Sequence, residues 1–192
     1  MADSVERHSR MAEVTDNALV AQCRRGVRTA FNSIFERYER PVYRLALQLL
    51  GNHDDAMDAL QTSFVKAFTH LPGYDNGRPF APWLFRIARN ECIDVMRRRQ
   101  RAARHAANHA HDPRAPYDDP SVLAEKSEAK ARLWKAIQRL SNEHKEALVL
   151  REFHGMSYRE LAETLEIPIG TVMSRLAAAR KKLRSLLENK DP

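Results

Sequence analysis

Three groups of residues in this chain have types and spacings suited to holding another molecule. One lies in "PIGTVMSRLAAARKKLR", residues 168–184. At helical spacing Val172, Leu176, Ala179 and Leu183 point inward, leaving Ser174, Ala177, Ala178 and Lys181 outside. Small outer side chains let a helix approach the bases of a DNA major groove closely. Thr171 and the open amides of the first turn can bind a phosphate, while Arg175, Arg180 and Lys181 add attraction to the backbone. The second group runs from the loop "LPGYDNGRPFAP", with Tyr74, Asn76, Arg78 and Phe80, to Arg86, Arg89, Asn90 and the cluster beginning Arg97, Arg98, Arg99. Rings stack on unpaired bases and amides read their edges, with cations alongside for the phosphates. The third group is acidic. Asp54, Asp55, Asp58, Gln61, Thr62 and Val65 can share one exposed helix side, with Leu60, Phe64, Ala67 and Phe68 packed inward. Nucleic acid avoids such a side, so its natural reader is a protein with basic or polar helices.

The elements that must position these groups all have helical period, and no run alternates as a strand does. Thr15 or Asp16 caps a first helix that Gly26 closes, and Phe31 to Leu49 form the apolar face of a second. Pro41 falls inside that face and predicts a kink or a break. Asp54 and Asp55 open a third helix where its dipole favours carboxylates. A fourth starts at Trp83 and buries Trp83, Leu84, Ile87, Cys92 (or Ala88) and Val95. The pattern then fails. Residues 101–127 carry Pro113, Pro116 and Pro120 with repeated Ala and His, and read as a flexible linker. His105, His109 and His111 have metal-like spacing, but no carboxylate or Cys completes a site, so they read as polar linker residues.

A second unit spans 128–192. Its Ser141 caps one helix, and Ser157 with Glu160 forms a capping box before another. Pro168 stops that short helix, and the basic helix follows. Two helices joined by a tight turn, the second basic at its far end, make a helix-turn-helix. The expected fold is therefore all-α: a 1–15 tail, a helical domain over 16–100, the linker, and a small helix-turn-helix domain.

Composition bounds the function. The net charge is +7 and the pI about 9.7, and the cations fall in two separated clusters, which suits two contacts on one long anion. No apolar run reaches the roughly 20 residues of a membrane helix, and the start lacks the order of a secretory signal. A cytoplasmic protein with Cys23 and Cys92 as reduced, packed thiols is expected. No P-loop, zinc-spaced Cys/His set or nucleophile triad is visible, so neither enzymatic activity nor a cofactor is expected.

The order of motifs resembles bacterial sigma-70 family RNA polymerase sigma factors of the extracytoplasmic-function (ECF) class, over about residues 16–188. "DAMDALQTSFVKAF" is similar to the family's acidic helix, which docks on the clamp helices of the polymerase largest subunit; Asp58 and Gln61 match its docking positions. "WLFRIARNECIDVMRRRQR" resembles the helix that opens the −10 element, with Asn90 at a position that helps capture a flipped base. "GMSYRELAETLEIPIGTVMSRLAAARKKL" resembles the −35 reader; Met173, Ala177 and Ala178 depart from the family's common residues there, as Met57 and Thr62 do in the acidic helix. The resemblance implies core polymerase, promoter DNA and a membrane-bound anti-sigma factor as partners, with no metal or cofactor. The rival readings are a helix-turn-helix regulator that acts without polymerase, an interaction adaptor, and a nucleic-acid enzyme.

Overall fold

The computed structural model describes residues 14–107 and 128–188, and every regular element among them is helical. The first unit holds α1 (Asp16–Arg24), α2 (Arg28–Leu50), α3 (His53–His70), a single 3-10 turn (Leu71–Gly73) and α4 (Phe80–Ala107). The second holds α5 (Glu128–Gln138), α6 (Asn142–Glu152), α7 (Tyr158–Leu165) and α8 (Ile169–Glu188).

Local chemistry sets most boundaries. The Thr15 hydroxyl accepts from the Ala18 amide, and the Asn52 side chain accepts from Asp55, so α1 and α3 each start on a satisfied donor. Gly51 ends α2 at φ +68°, a left-handed conformation that side-chain-bearing residues avoid. Two expectations about boundaries need comment. Of the kink or break expected at Pro41 the break is absent: α2 runs continuously through it, because Tyr38, Val42, Leu45 and Leu49 bury against α3 and α4 on both sides of it. That packing offsets the roughly 3 kcal/mol a mid-helix proline costs. And α4 continues to Ala107, so residues 101–107 of the expected linker are helical. His105 lies within that helix, while His109 and His111 fall outside the described residues.

In the first unit α2, α3 and α4 pack mutually and α1 lies across α2. The core row of α4 is Phe80, Leu84, Ala88, Cys92 and Val95, all buried. Trp83 and Ile87, expected inside, are only half-buried against that core. Phe68 was expected inside too, yet it is 56% exposed and makes a T-shaped contact with Phe31, 4.9 Å between centroids. Cys92 is the packed thiol that its spacing predicted, and burial pushes its pKa up to about 12. In the second unit α8 packs on α5, α6 and α7 through Val172, Leu176 and Ala179.

The two units touch. Helix α7 lies on α4, and α6 lies on α2. The Gln138 amide donates to the Gln48 carbonyl at 3.0 Å, and His154 Nε2 meets Gln48 Oε1 at 3.0 Å. The His154 ring also packs edge-on against Phe85, 5.0 Å between centroids. Burial, with the Arg44 charge nearby, holds His154 down at about 4.

A histidine kept neutral by folding favours the folded state fully above its unfolded value near 6.5, and that contribution fades as pH falls towards 4. His154 should therefore account for a loss of up to about 3 kcal/mol between those limits. Urea unfolding of the wild type and of His154→Gln across pH 7 to 4 checks this. The variant should show a visibly shallower fall.

Candidate nucleic-acid and protein interfaces

Helix α3 presents Asp54, Asp58, Gln61 and Val65 to solvent on one side, with Thr62 half-buried beside them. Val65 is 66% exposed, a large apolar side chain left open inside an acidic row. Asp55 does not belong to this set. It turns towards α4 and pairs with Arg99, so its charge is spent inside the domain. Between α3 and α4 runs a cleft lined by Asp58, Gln61, Thr62, Lys66, Glu91 and Arg98. At its floor the carboxylate of Glu91, only 5% exposed, receives both Lys66 and Arg98, the latter at 3.5 Å. Arg98 thus sits on the acidic side of the molecule, away from Arg86 and Arg89.

The loop after α3 is built differently from its sequence reading. Tyr74 and Phe80 are buried, at 4% and 3% exposure, and their rings interlock with Trp83 and Tyr38. Neither ring is open to a base in this conformation; both anchor the loop to the core. What they hold outside is Asn76 and Arg78, both exposed. The clamp comes from α1, which sequence spacing did not reveal. Arg24 Nε donates to the Leu71 carbonyl at 3.2 Å, and its Nη2 donates to the Tyr74 carbonyl. Asn17 donates to the Asn76 carbonyl at 3.2 Å, and the Tyr74 hydroxyl closes the loop on the Arg78 carbonyl. Helix α1 is itself pinned by Asp16, which accepts from Arg37 and from Tyr38, each at 2.5 Å.

On α4, Arg86, Arg89 and Asn90 share a side with Arg97. Arg97 is open to solvent and loosely paired with Asp94 at 3.7 Å. Arg86 and Arg89 instead reach the second unit. Arg89 holds Glu146 at 2.8 Å, and Arg86 meets Glu166 at 3.2 Å. Arg89 also donates to the Asn90 side-chain oxygen at 3.0 Å.

The helix-turn-helix has the form its motif predicts. Ser157 and Glu160 exchange both bonds of the capping box, at 2.8 and 3.2 Å. Glu166 ends α7 in the left-handed region at φ 55°, and Pro168 starts α8. Met173, Ser174, Ala177 and Ala178 form an exposed face of small and flexible side chains. The Thr171 amide is engaged, donating to the Pro168 carbonyl at 2.9 Å, so the free donors of that first turn are those of Ile169 and Gly170. Two of the expected cations are held by α6: Arg175 by Glu143 at 3.2 Å and Arg180 by Glu152 at 2.7 Å. Lys181, Lys182 and Arg184 stand exposed.

Among the described residues no group of His, Cys, Asp and Glu stands together as a metal site, and no helix is long and apolar enough to cross a membrane.

With this geometry in hand, known proteins are informative. Residues 34–102 match Sigma-70 region 2, and residues 130–183 match Sigma-70, region 4. The chain is 36% identical over 160 residues to the ECF RNA polymerase sigma factor SigE of Mycolicibacterium smegmatis, which covers 82% of this chain and 62% of that one. It therefore spans less than two thirds of that relative. It spans 97% of the ECF RNA polymerase sigma-E factor of Haemophilus influenzae, at 33% identity over 193 residues and 94% of its own length. Two solved structures are similar across both units. One is the sigma factor RpoE with the anti-sigma factor NepR from Bartonella quintana, at TM-score 0.69 and 27% identity, covering 84% of this chain and 98% of that one. The other is CnrH with the cytosolic domain of CnrY, at TM-score 0.72 and 28% identity, covering 92% and 99%.

The α1 clamp makes a local prediction. Arg24→Ala removes two hydrogen bonds to loop carbonyls and should cost about 1 kcal/mol. Its signature is faster amide exchange confined to residues 71–79, with the helix-turn-helix protected as before. Uniform exchange along the chain would contradict the clamp.

Proposed function

Because the chain belongs to the ECF family of RNA polymerase sigma factors, which direct that enzyme to promoters, we propose how its surfaces divide the task. The exposed row of Asp54, Asp58, Gln61, Thr62 and Val65 docks on the clamp helices of the polymerase largest subunit. Carboxylates around an apolar centre suit basic helices: the charges steer the encounter and Val65 supplies area to bury. Asp55 supports the row indirectly, by fixing α3 to α4 through Arg99.

The loop side chains Asn76 and Arg78, with Arg86, Arg89, Asn90 and Arg97 on α4, take the −10 element as a separated strand. Opening duplex costs roughly 1.4 kcal/mol per stacked step. Phosphate contacts from the arginines, and capture of a base by Asn90, offset that cost in the holoenzyme. Tyr74 and Phe80 contribute by shaping the loop rather than by stacking.

Helix α8 reads the −35 element. Its exposed face of Thr171, Met173, Ser174, Ala177 and Ala178 carries few long hydrogen-bonding groups, so shape readout outweighs base-edge bonds. Phosphates are met by the amides of Ile169 and Gly170 and by Lys181, with Arg175 and Arg180 available once they leave Glu143 and Glu152. The observation that carries the reading is the coexistence, on one chain, of an open acidic row and an open small-residue recognition face. A regulator working without polymerase has no use for the first.

The factor performs no covalent chemistry in this reading and works in the cytoplasm. The similarity to a structure solved with the anti-sigma factor NepR supports an inhibitory protein partner, and the similarity to CnrH solved with the cytosolic domain of CnrY supports one that also has a part outside the cytosol.

Two measurements test this. Asp58→Lys should reduce capture of core polymerase at least tenfold while leaving the melting temperature within about 2 °C, since exposed substitutions change stability by only about 0.5 kcal/mol. Unchanged capture favours the polymerase-free regulator. Lys181→Ala should lower the salt slope of holoenzyme binding to duplex promoter DNA by about 0.9, one phosphate's worth.

A further inference from the structure

Two of the cations that would meet the separated strand are not free in this conformation: the second unit covers Arg86 and Arg89 with two carboxylates, while Asn76, Arg78, Asn90 and Arg97 stay exposed. Glu146, on α6, is 3% exposed, and its single oxygen Oε2 is approached by both Nε and Nη2 of Arg89 at 2.8 Å. Glu166, in the turn between α7 and α8, receives Arg86 at 3.2 Å. Arg89 spends a third donor on the side-chain oxygen of Asn90, which leaves the exposed Asn90 NH2 open. A guanidinium that donates to an anionic carboxylate oxygen donates equally well to a phosphate oxygen. The two glutamates therefore stand on Arg86 and Arg89 in the manner of backbone phosphates.

The masking is selective. The α3 row and the outer face of α8 remain exposed in the same conformation. We propose that Glu146 and Glu166 form an internal phosphate mimic, an acidic surface of the second unit whose partner is the single-strand-binding side of α4. This rests on the proposed assignment of that side to the −10 strand. Docking on polymerase and contact with −35 duplex can then precede separation of the units, whereas the part of strand capture that needs Arg86 and Arg89 cannot. The factor is kept from holding stray single-stranded nucleic acid until both outer contacts are made.

The latch is built to release. Glu146 leaves water almost entirely to make its pair, and burial outweighs Arg89 in setting its proton affinity, so the carboxylate is poorly compensated where it sits. Glu166 occupies a left-handed backbone position at the rim, and its side chain is 60% exposed. A strand offering several phosphates to Arg86, Arg89 and Arg97 together competes well against one buried and one exposed carboxylate.

The test uses the full chain without polymerase, fluorescein-labelled 15-nucleotide oligothymidine as the probe, and small-angle scattering for compactness. The doubly substituted Glu146→Gln, Glu166→Gln chain should have a larger radius of gyration than wild type and bind the probe severalfold more tightly. Its plot of log affinity against log salt should steepen by about 1.4, about 0.7 for each phosphate gained on a single strand. Adding Arg86→Ala and Arg89→Ala should abolish the gain. An expanded chain with unchanged affinity overturns the mimic, and so does a chain that stays compact. If the double variant does not fold, Glu166→Gln alone, at an exposed position, should still steepen the slope by about 0.7, and no change there overturns the proposal. Failure of the underlying assignment looks different: holoenzyme carrying Arg86→Ala and Arg89→Ala would open promoters normally.

Discussion

Helix α4 has to satisfy neighbours on three sides at once, and most of the molecule follows from how it does so. Its row of Phe80, Leu84, Ala88, Cys92 and Val95 is buried against α2 and α3, and removal of that apolar area from water is what holds the first unit together. With that row fixed, the rest of the helix has no rotational freedom. Glu91 must face α3, where it collects Lys66 and Arg98. Arg86, Arg89 and Asn90 must face outward on the remaining side.

The same constraint explains why acidic and basic surfaces lie so close without cancelling. Along α3 the charges at Asp54 and Asp58 are open, whereas Asp55 is neutralised by Arg99 from α4. Cross-helix pairs of this kind stitch the two helices while leaving one side of α3 negative and the outer side of α4 positive. Separate protein and nucleic-acid partners can then approach one small domain from different directions, each steered by its own field.

Contact between the units adds a second layer. Gln48, His154 and Phe85 form a junction that is polar at one end and aromatic at the other. Arg86 and Arg89 extend it with ion pairs. The buried apolar residues of the two units belong to one continuous cluster, so separation exposes apolar area while each charge released regains its hydration.

Local pattern was enough to identify the helices, the helix-turn-helix and most caps, although Ser141 stands at the start of α6 without a side-chain capping bond, since capping boxes, left-handed glycines and 3.6-residue periodicity act within a few residues of the chain. It also located the acidic row and the small-residue face of α8, which need only one helix to define a side. Where the reading went astray, a distant contact decided. Tyr74 and Phe80 look like open stacking rings until the aromatic cluster with Tyr38 and Trp83 closes over them. Phe68 looks like core until α3 packs with that position turned outward. Pro41 looks like a break until burial on both sides of it outweighs one lost hydrogen bond. Asp55, Arg24 and Glu146 carry no signal of their own, because a charge announces its role only through the partner it meets, and those partners lie 44, 47 and 57 residues away. Short-range periodicity and capping therefore determined which segments are helices and which chemistry they carry, whereas the long-range pairing of charges and rings decided which of that chemistry faces a partner and which is turned inward.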